Sequence, residues 1–328
     1  LNMCDPNKDN KNRFLQFPQM DKFTLCGNGE ETFVPPFTYH GFRYCLVEGI
    51  TKEQATDDLL TYMVMGSDID KKSEFSCSDE SLNKLYDMTC RSVRSNLTYV
   101  PTDCPHREKN GWTADISLSA EHVMLSFTAE KTLSEWLNNL RAAQRDGAFP
   151  GIVPTAGWGF AWGNGPAWDS VLVYLPYFTA VLRDDLRAAK EASREMLRYF
   201  AYLRTRFDEN GLLSIGLGDW CPAFPDYMPP LIFTDSTISY DLAVKAAYLY
   251  DRLNMRLEAD YCRAFAGEMR ACIREHLLDK DTMRFSTGTQ SCQAMAIFYG
   301  VFNEDEKKKA FARLLEFIDA DGGSMNTG

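Results

Sequence analysis

The densest grouping of reactive side chains is Pro101-Thr-Asp103-Cys-Pro-His106-Arg107-Glu108-Lys-Asn-Gly111-Trp112-Thr-Ala-Asp115. Three carboxylates, a guanidinium, an imidazole and an indole fall within fifteen positions. An indole packed on a carboxyl group desolvates it and raises its pKa, which makes a general acid. A carboxylate bonded to Arg107 stays ionised. Breaking a glycosidic bond calls for that division of labour, with an acid for the leaving oxygen and a base or nucleophile opposite it. The plainer reading is a solvated polar loop in which Asp103 and Asp115 cap helix N-termini.

Two further stretches combine aromatics, glycines and an acid. Trp158-Gly-Phe-Ala-Trp162-Gly-Asn-Gly-Pro-Ala-Trp168-Asp169 holds three tryptophans in eleven positions. Indole faces stack on the C–H faces of sugars, and Asp169 would then bond hydroxyls. The alternative is a structural loop anchored by its tryptophans. Gly218-Asp219-Trp220 repeats the combination on a smaller scale. Other chemistry finds no support. There is no GxSxG, HExxH or phosphate-binding loop, and Gly163-Asn-Gly165 lacks the third glycine and the preceding strand of a dinucleotide site. Asn96-Leu-Thr98 has the pattern of a glycosylation sequon, but it falls in a predicted helix.

Composition narrows the class. The chain has 328 residues, 45% of them hydrophobic, and a formal net charge of −11. That length is ample for a large core. The acidic balance argues against a nucleic-acid partner, whose phosphates need a basic surface. No run of about 20 apolar residues predicts a membrane-spanning helix. The ten cysteines show neither a CxxC pair nor zinc-ligand spacing. They are expected to be mostly buried free thiols, which suits a reducing, cytoplasmic setting, with export left open. Four histidines are too few for a multi-histidine metal centre. The chain starts at Leu1 without a leader and stops at Gly328 after a predicted helix, so both ends read as cuts.

The elements that must position these loops change character along the chain. Up to about residue 66, short apolar runs such as Phe42–Val47 and Leu60–Val64 alternate with turn residues, and the region reads as the tail of a β-sandwich. From about residue 78 the period becomes helical. Leu82, Leu85, Tyr86 and Thr89 share one face; Leu133, Trp136, Leu137 and Leu140 another; Ile238, Leu242, Ala246, Leu249 and Leu253 a third. The spacing predicts helices over 79–98, 116–127, 129–145, 169–184, 186–207, 236–253, 256–277, 289–301 and 303–319. Loops 99–115, 146–168 and 208–235 carry most of the glycine, proline and tryptophan, and long structured loops in a helical domain are usually functional. Helices arriving in pairs without strands or a fixed repeat suggest an α-toroid rather than a solenoid. The division expected is a sandwich tail and linker over 1–70, then a mainly α (α/α)6 barrel over 71–328 that lacks its last helices.

At these residues the sequence resembles the bacterial α-L-rhamnosidases of glycoside hydrolase family 78. Phe37-Thr-Tyr-His-Gly-Phe-Arg-Tyr44 is similar to the strand motif before that family's barrel, and 101–115 to its most characteristic segment. Gln144, Gly147, Pro150, Ala167-Trp168-Asp169, Pro176 and Gly218-Asp219-Trp220 continue the pattern in order. The resemblance implies an inverting hydrolase that releases terminal α-L-rhamnose from rhamnosides or rhamnose-containing polysaccharides. Glu108 would be the general acid. Asp103 and Asp115 would hold rhamnose hydroxyls and tune it. Arg107 and Trp112 would line the pocket, with Trp168, Asp169 and Trp220 as further wall residues. No metal or organic cofactor is implied, and a homodimer is an open assembly. Ala114 stands where the family usually has Gly, and His106 where Gln is common. The family's general base is a glutamate expected downstream of residue 328, roughly 6.5–9.5 Å from the acid in an inverting site. Two other functions fit the same residues. A sugar-binding protein on this barrel would bind rhamnose without turnover, and an (α/α)6 enzyme for another sugar would be separated by a substrate panel.

Overall fold

Helix composition sorts the chain before any packing is considered. Some helices are buried nearly all round, and others carry one apolar stripe, which is the difference between an inner and an outer layer. In the computed structural model, which describes residues 19–155, 160, 164–222 and 227–327, the chain divides into two compact units. The first comprises residues 1–70 and 74–111, the second 71–73 and 112–328. Contacts therefore group 74–111 with the preceding segment, whereas the change of period falls near residue 78.

In the first unit, the apolar runs 42–47 and 60–64 carry no strand and form no ladder among the described residues. A strand persists by exchanging hydrogen bonds with a neighbour, and these runs have none to pair with. The regular element here is α1 (Glu80–Ser95), started by Asp79, whose carboxylate accepts the Ser81 amide at 2.8 Å. Only Cys90 of α1 is buried, and its predicted stripe residues Leu82 and Leu85 are exposed. The chain then makes a two-residue antiparallel pair, β1 (Leu97–Thr98) with β2 (Val100–Pro101), around Tyr99 at φ 65°. The Ser67 amide reaches the Leu97 carbonyl at 2.7 Å, so residues 66–70 run beside this pair.

The second unit is helical: α2 (Thr113–Ser126), α3 (Glu130–Ala142), α4 (Gly165–Asp169), α5 (Val171–Arg183), α6 (Arg187–Arg204), α7 (Leu231–Arg252), α8 (Arg256–His276), α9 (Gln290–Phe298) and α10 (Lys307–Ala320). A short hairpin, β3 (Leu278–Asp279) with β4 (Arg284–Phe285), precedes α9. Helix α5 packs on α2 and α7, and α7 on α9, forming an inner layer; α6 packs on α3 and α8 outside it. Successive helices pair as hairpins, α5 with α6, α7 with α8 and α9 with α10. The stripe Leu133, Trp136, Leu137 and Leu140 of α3 is buried as its spacing predicts, and so are Ile238, Leu242, Ala246 and Leu249 of α7. Helix ends shift by a few residues throughout, and two differences bear on the site. The helix predicted over 169–184 breaks at Ser170, whose hydroxyl bonds the Ala167 carbonyl at 2.8 Å and the Ser117 hydroxyl at 2.6 Å. Helix α7 begins at Leu231 after Pro230, five residues before the predicted 236, because Thr234, Asp235 and Ser236 read locally as turn residues. The loops that lead into inner helices are the ones that hold the candidate chemistry.

Candidate active site

The loop 101–111 belongs to the first unit and is tied by bonds within itself. Lys109 adopts a left-handed φ of 53°, which turns the chain back on its start. The Asp103 amide then donates to the Asn110 carbonyl at 3.0 Å, and the Asn110 amide to Asp103 Oδ1 at 2.9 Å. Cys104 links the other ends: its thiol donates to Asp103 Oδ2 at 3.0 Å, and the Glu108 amide donates to its sulfur at 3.2 Å. Burial pushes the Cys104 thiol up, and the hydrogen bond to Asp103 adds to this, so the sulfur keeps the proton it donates. Asp103 thus spends two acceptor positions on the turn and retains others, since a carboxylate offers about four. Glu108 and Arg107 are exposed, and Arg107 Nε donates to His106 Nε2 at 3.0 Å.

The segment 37–44 backs this loop. A Cβ on Gly41 would stand 2.9 Å from His106 Cβ, so the two chains touch there. Lys109 Nζ reaches the Tyr39 carbonyl at 2.5 Å and lies 4.9 Å from the centre of the Tyr39 ring. Burial raises the pKa of Tyr39; a hydrogen bond with Thr102 offsets this in part, and the charge of Asp103 adds to it. The two motifs that stand 60 positions apart in the sequence are therefore one structural feature of the first unit.

The remaining residues lie in the second unit. Trp112 forms an isolated antiparallel bridge with Ile152 and precedes α2; Asp115 is exposed in the first turn of that helix. Neither Asp103 nor Asp115 is a helix cap: α2 starts from Trp112 without a side-chain cap, and Asp115 sits where a negative charge favours the helix N-terminus. Trp168 and Trp220 meet edge to face with ring centres 6.3 Å apart, the first 7% exposed and the second 62%. Trp158 and Trp162 lie outside the described residues. Asp169 is only 4% exposed and points inward among Tyr199 and Asp235. Burial pushes its carboxyl well above the usual range; the Tyr199 hydroxyl offsets this in part, and the Asp235 charge adds to it. Among the described residues, Asp169, Asp235 and Asp241 are the buried carboxylates, whereas Glu108 and Asp115 are exposed. No His/Cys/Asp/Glu group suited to a metal ion occurs among the described residues. All nine described cysteines are free, and only Cys90, Cys262 and Cys292 are buried, against the expectation that most would be.

A family model for the bacterial α-L-rhamnosidase six-hairpin glycosidase domain matches residues 70–328. The chain belongs to the bacterial α-L-rhamnosidase family. A second model, the concanavalin-like domain of the same proteins, matches residues 3–65. An α-L-rhamnosidase of Streptomyces avermitilis is 31% identical over 314 aligned residues, covering 94% of this chain and 29% of that protein. One from Formosa agariphila is 26% identical over 339, covering 94% and 34%. Among solved structures, the Streptomyces avermitilis α-L-rhamnosidase complexed with L-rhamnose superposes with a TM-score of 0.85 at 28% identity, over 93% of this chain and 29% of that one. The Aspergillus terreus α-L-rhamnosidase, at 24% identity and a TM-score of 0.83 over 93% and 37%, shares the fold. The chain spans about a third of the length of these rhamnosidases. The helical hairpins of the second unit are accordingly part of an α/α barrel.

Sequence reasoning missed Tyr39, Cys104, Asn164 and Asp235. Cys104 and Asn164 stood inside quoted motifs without a role. Asp235 had no local signal, because its partners are twenty positions away.

Proposed function

We propose that this chain carries the acid-bearing part of an inverting α-L-rhamnosidase acting on rhamnosides or rhamnose-containing polysaccharides. The observation that supports this best is the self-tied loop 103–110, which presents an exposed Glu108 in a chain whose relatives are rhamnosidases, one of them solved with L-rhamnose. Glu108 donates its proton to the glycosidic oxygen as the bond to the anomeric carbon breaks. A water attacks that carbon from the opposite face, and a second carboxylate takes its proton. The resemblance puts that base at a glutamate after position 328. The resemblance gives Asp103 and Asp115 the rhamnose hydroxyls and makes Arg107 and Trp112 sugar contacts; within the second unit, the Trp168–Trp220 corner offers aromatic surface to a sugar.

The test is release of p-nitrophenol from p-nitrophenyl α-L-rhamnoside by the full-length protein, with Glu108→Gln beside it. Turnover lost in the variant, with rhamnose still quenching tryptophan fluorescence, supports the assignment. Undiminished turnover in Glu108→Gln removes Glu108 from the acid role. Rhamnose binding with no turnover in either protein supports a binding protein instead.

A further inference from the structure

Trp220 is mostly exposed, so its position depends on how the chain on its N-terminal side is held. Residues 213–217 form no ladder strand among the described residues. They are held instead by consecutive side chains near the start of α7. Asp235 Oδ2 accepts the Ile215 amide at 2.7 Å and the Gly216 amide at 2.8 Å, and Ser236 Oγ accepts the Leu213 amide at 2.9 Å. Asp235 is fully buried, so these bonds form away from competing water.

The same segment touches a second loop. The Leu217 amide donates to the Asn164 carbonyl at 3.3 Å, and a Cβ on Gly165 would stand 2.3 Å from Gly216 Cα. With φ at 68°, Gly165 occupies the left-handed region as well, so glycine is required there on two counts. Asn164 Nδ2 in turn donates to the Phe149 carbonyl at 3.0 Å, and the Gly151 carbonyl accepts the Thr113 amide at 2.9 Å. A continuous series of contacts therefore runs from Asp235 through 215–217, 164–165 and 149–152 to the start of α2, where Trp112 and Asp115 stand.

We propose that Asp235 is the positioning residue of this loop stack: through the Ile215 and Gly216 amides it fixes the 213–220 segment on Asn164 and Gly165, and so sets where Trp220 stands against Trp168. Asp235 touches no substrate, and its effect is carried by backbone. A carboxylate is suited to this work because one of its oxygens can accept two adjacent amides through charge-assisted bonds, which are stronger than those to a neutral hydroxyl, and an apolar residue at 235 accepts none. The consequence for turnover rests on the rhamnosidase reading; the consequence for the loop does not.

The test compares Asp235→Ala and Asp235→Asn in the full-length protein, with the exposed Asp279, whose Oδ1 also accepts two amides, changed to Ala as a control. Amide exchange followed by mass spectrometry and the near-UV circular dichroism of the tryptophans are the readouts. Asp235→Ala is expected to speed exchange across 213–220 by roughly tenfold or more, to leave 187–204 and 256–276 at the wild-type rate, and to change the tryptophan spectrum. Asp235→Asn keeps an acceptor and is expected to restore most of both. In turnover, Asp235→Ala is expected to raise KM for p-nitrophenyl α-L-rhamnoside more than it lowers kcat. Unchanged exchange in 213–220, or an equal rise in the outer helices, would overturn the proposal by reducing Asp235 to an ordinary core residue. Should Asp235→Ala not fold, Asp235→Glu displaces the same oxygens by one methylene. Faster exchange confined to 213–220 there supports the role, and a wild-type pattern overturns it. A wild-type protein that turns over no rhamnoside overturns the functional reading alone, since the exchange measurements still decide Asp235.

Discussion

The acid loop of the first unit and the tryptophan corner of the second are built on opposite plans. In the first, Asp103, Cys104, Glu108 and Asn110 bond one another across four to seven positions or between neighbours. In the second, the linking bonds span 15 positions from Asn164 to Phe149, 20 from Asp235 to Ile215 and, between backbones, 53 from Leu217 to Asn164. A loop closed largely on itself, with a further tie from Lys109 to the Tyr39 carbonyl, presents Glu108 mostly on local bonds. A stack of loops transmits a disturbance at one layer to the others. The first plan suits a group presented on its own local scaffold, and the second suits a corner whose two rings must keep a fixed angle.

The largest expected effect tests the first half of that contrast. Glu108→Gln should lower kcat by about 10²–10⁴-fold, the range for losing a general acid. Thermal unfolding should change little, because the Glu108 amide that closes the loop is kept in the variant. If Trp220→Ala lost more kcat than Glu108→Gln, the two regions would have exchanged roles.

Next comes the crossing of the two glycine-bearing segments. Gly165→Ala would place a methyl against backbone that has no side chain to move aside. A loss of about 3–4 kcal/mol in urea unfolding is expected. A near-wild-type midpoint would show that the stack is loose.

The third effect is a pH dependence that only the second plan can produce. Burial raises Asp235 from its ordinary 3.8 to about 6, against the two amides that lower it. The folded state therefore binds this proton more tightly than the unfolded chain does. The stabilisation is full below about pH 4 and is lost as pH rises to about 6, by about 3 kcal/mol from this group. Asp169 faces Asp235 and Tyr199, and its raised pKa has the same sign. The Asp235→Asn variant should flatten the profile of unfolding free energy between pH 4 and 6; an unaltered slope would assign the titration elsewhere. The smallest effect belongs to the first unit, where Asp79→Ala removes the cap of α1 and should cost about 1 kcal/mol without changing exchange in the second.

Much of this was legible in the amino-acid order. The helical stripes of α3 and α7 follow from period alone, since every residue of a stripe faces the same way whatever it packs against. The acid loop was legible because its partners are sequence neighbours. The runs 42–47 and 60–64 look like strands by composition, yet a strand also needs a partner, and none of the described residues supplies one. The resemblance made Asp169 a wall residue beside Trp168. One residue further along a helix turns a side chain by about 100°, and here that rotation carries it from the tryptophan corner into the core.

The sequence by itself therefore determined most of the helices, the faces that α3 and α7 bury, and which segment carries the loop of acids. These depend on spacings of a few residues, and covalent geometry fixes what lies within that reach. Only the tertiary structure decided that Asp235 anchors Gly216, that Gly216 needs a glycine opposite it, and that Trp220 meets Trp168. Those pairs lie 19 to 52 positions apart. Nothing local distinguishes a buried carboxylate with two amides to accept from a polar residue facing water; burial and partners exist only once the helices have packed.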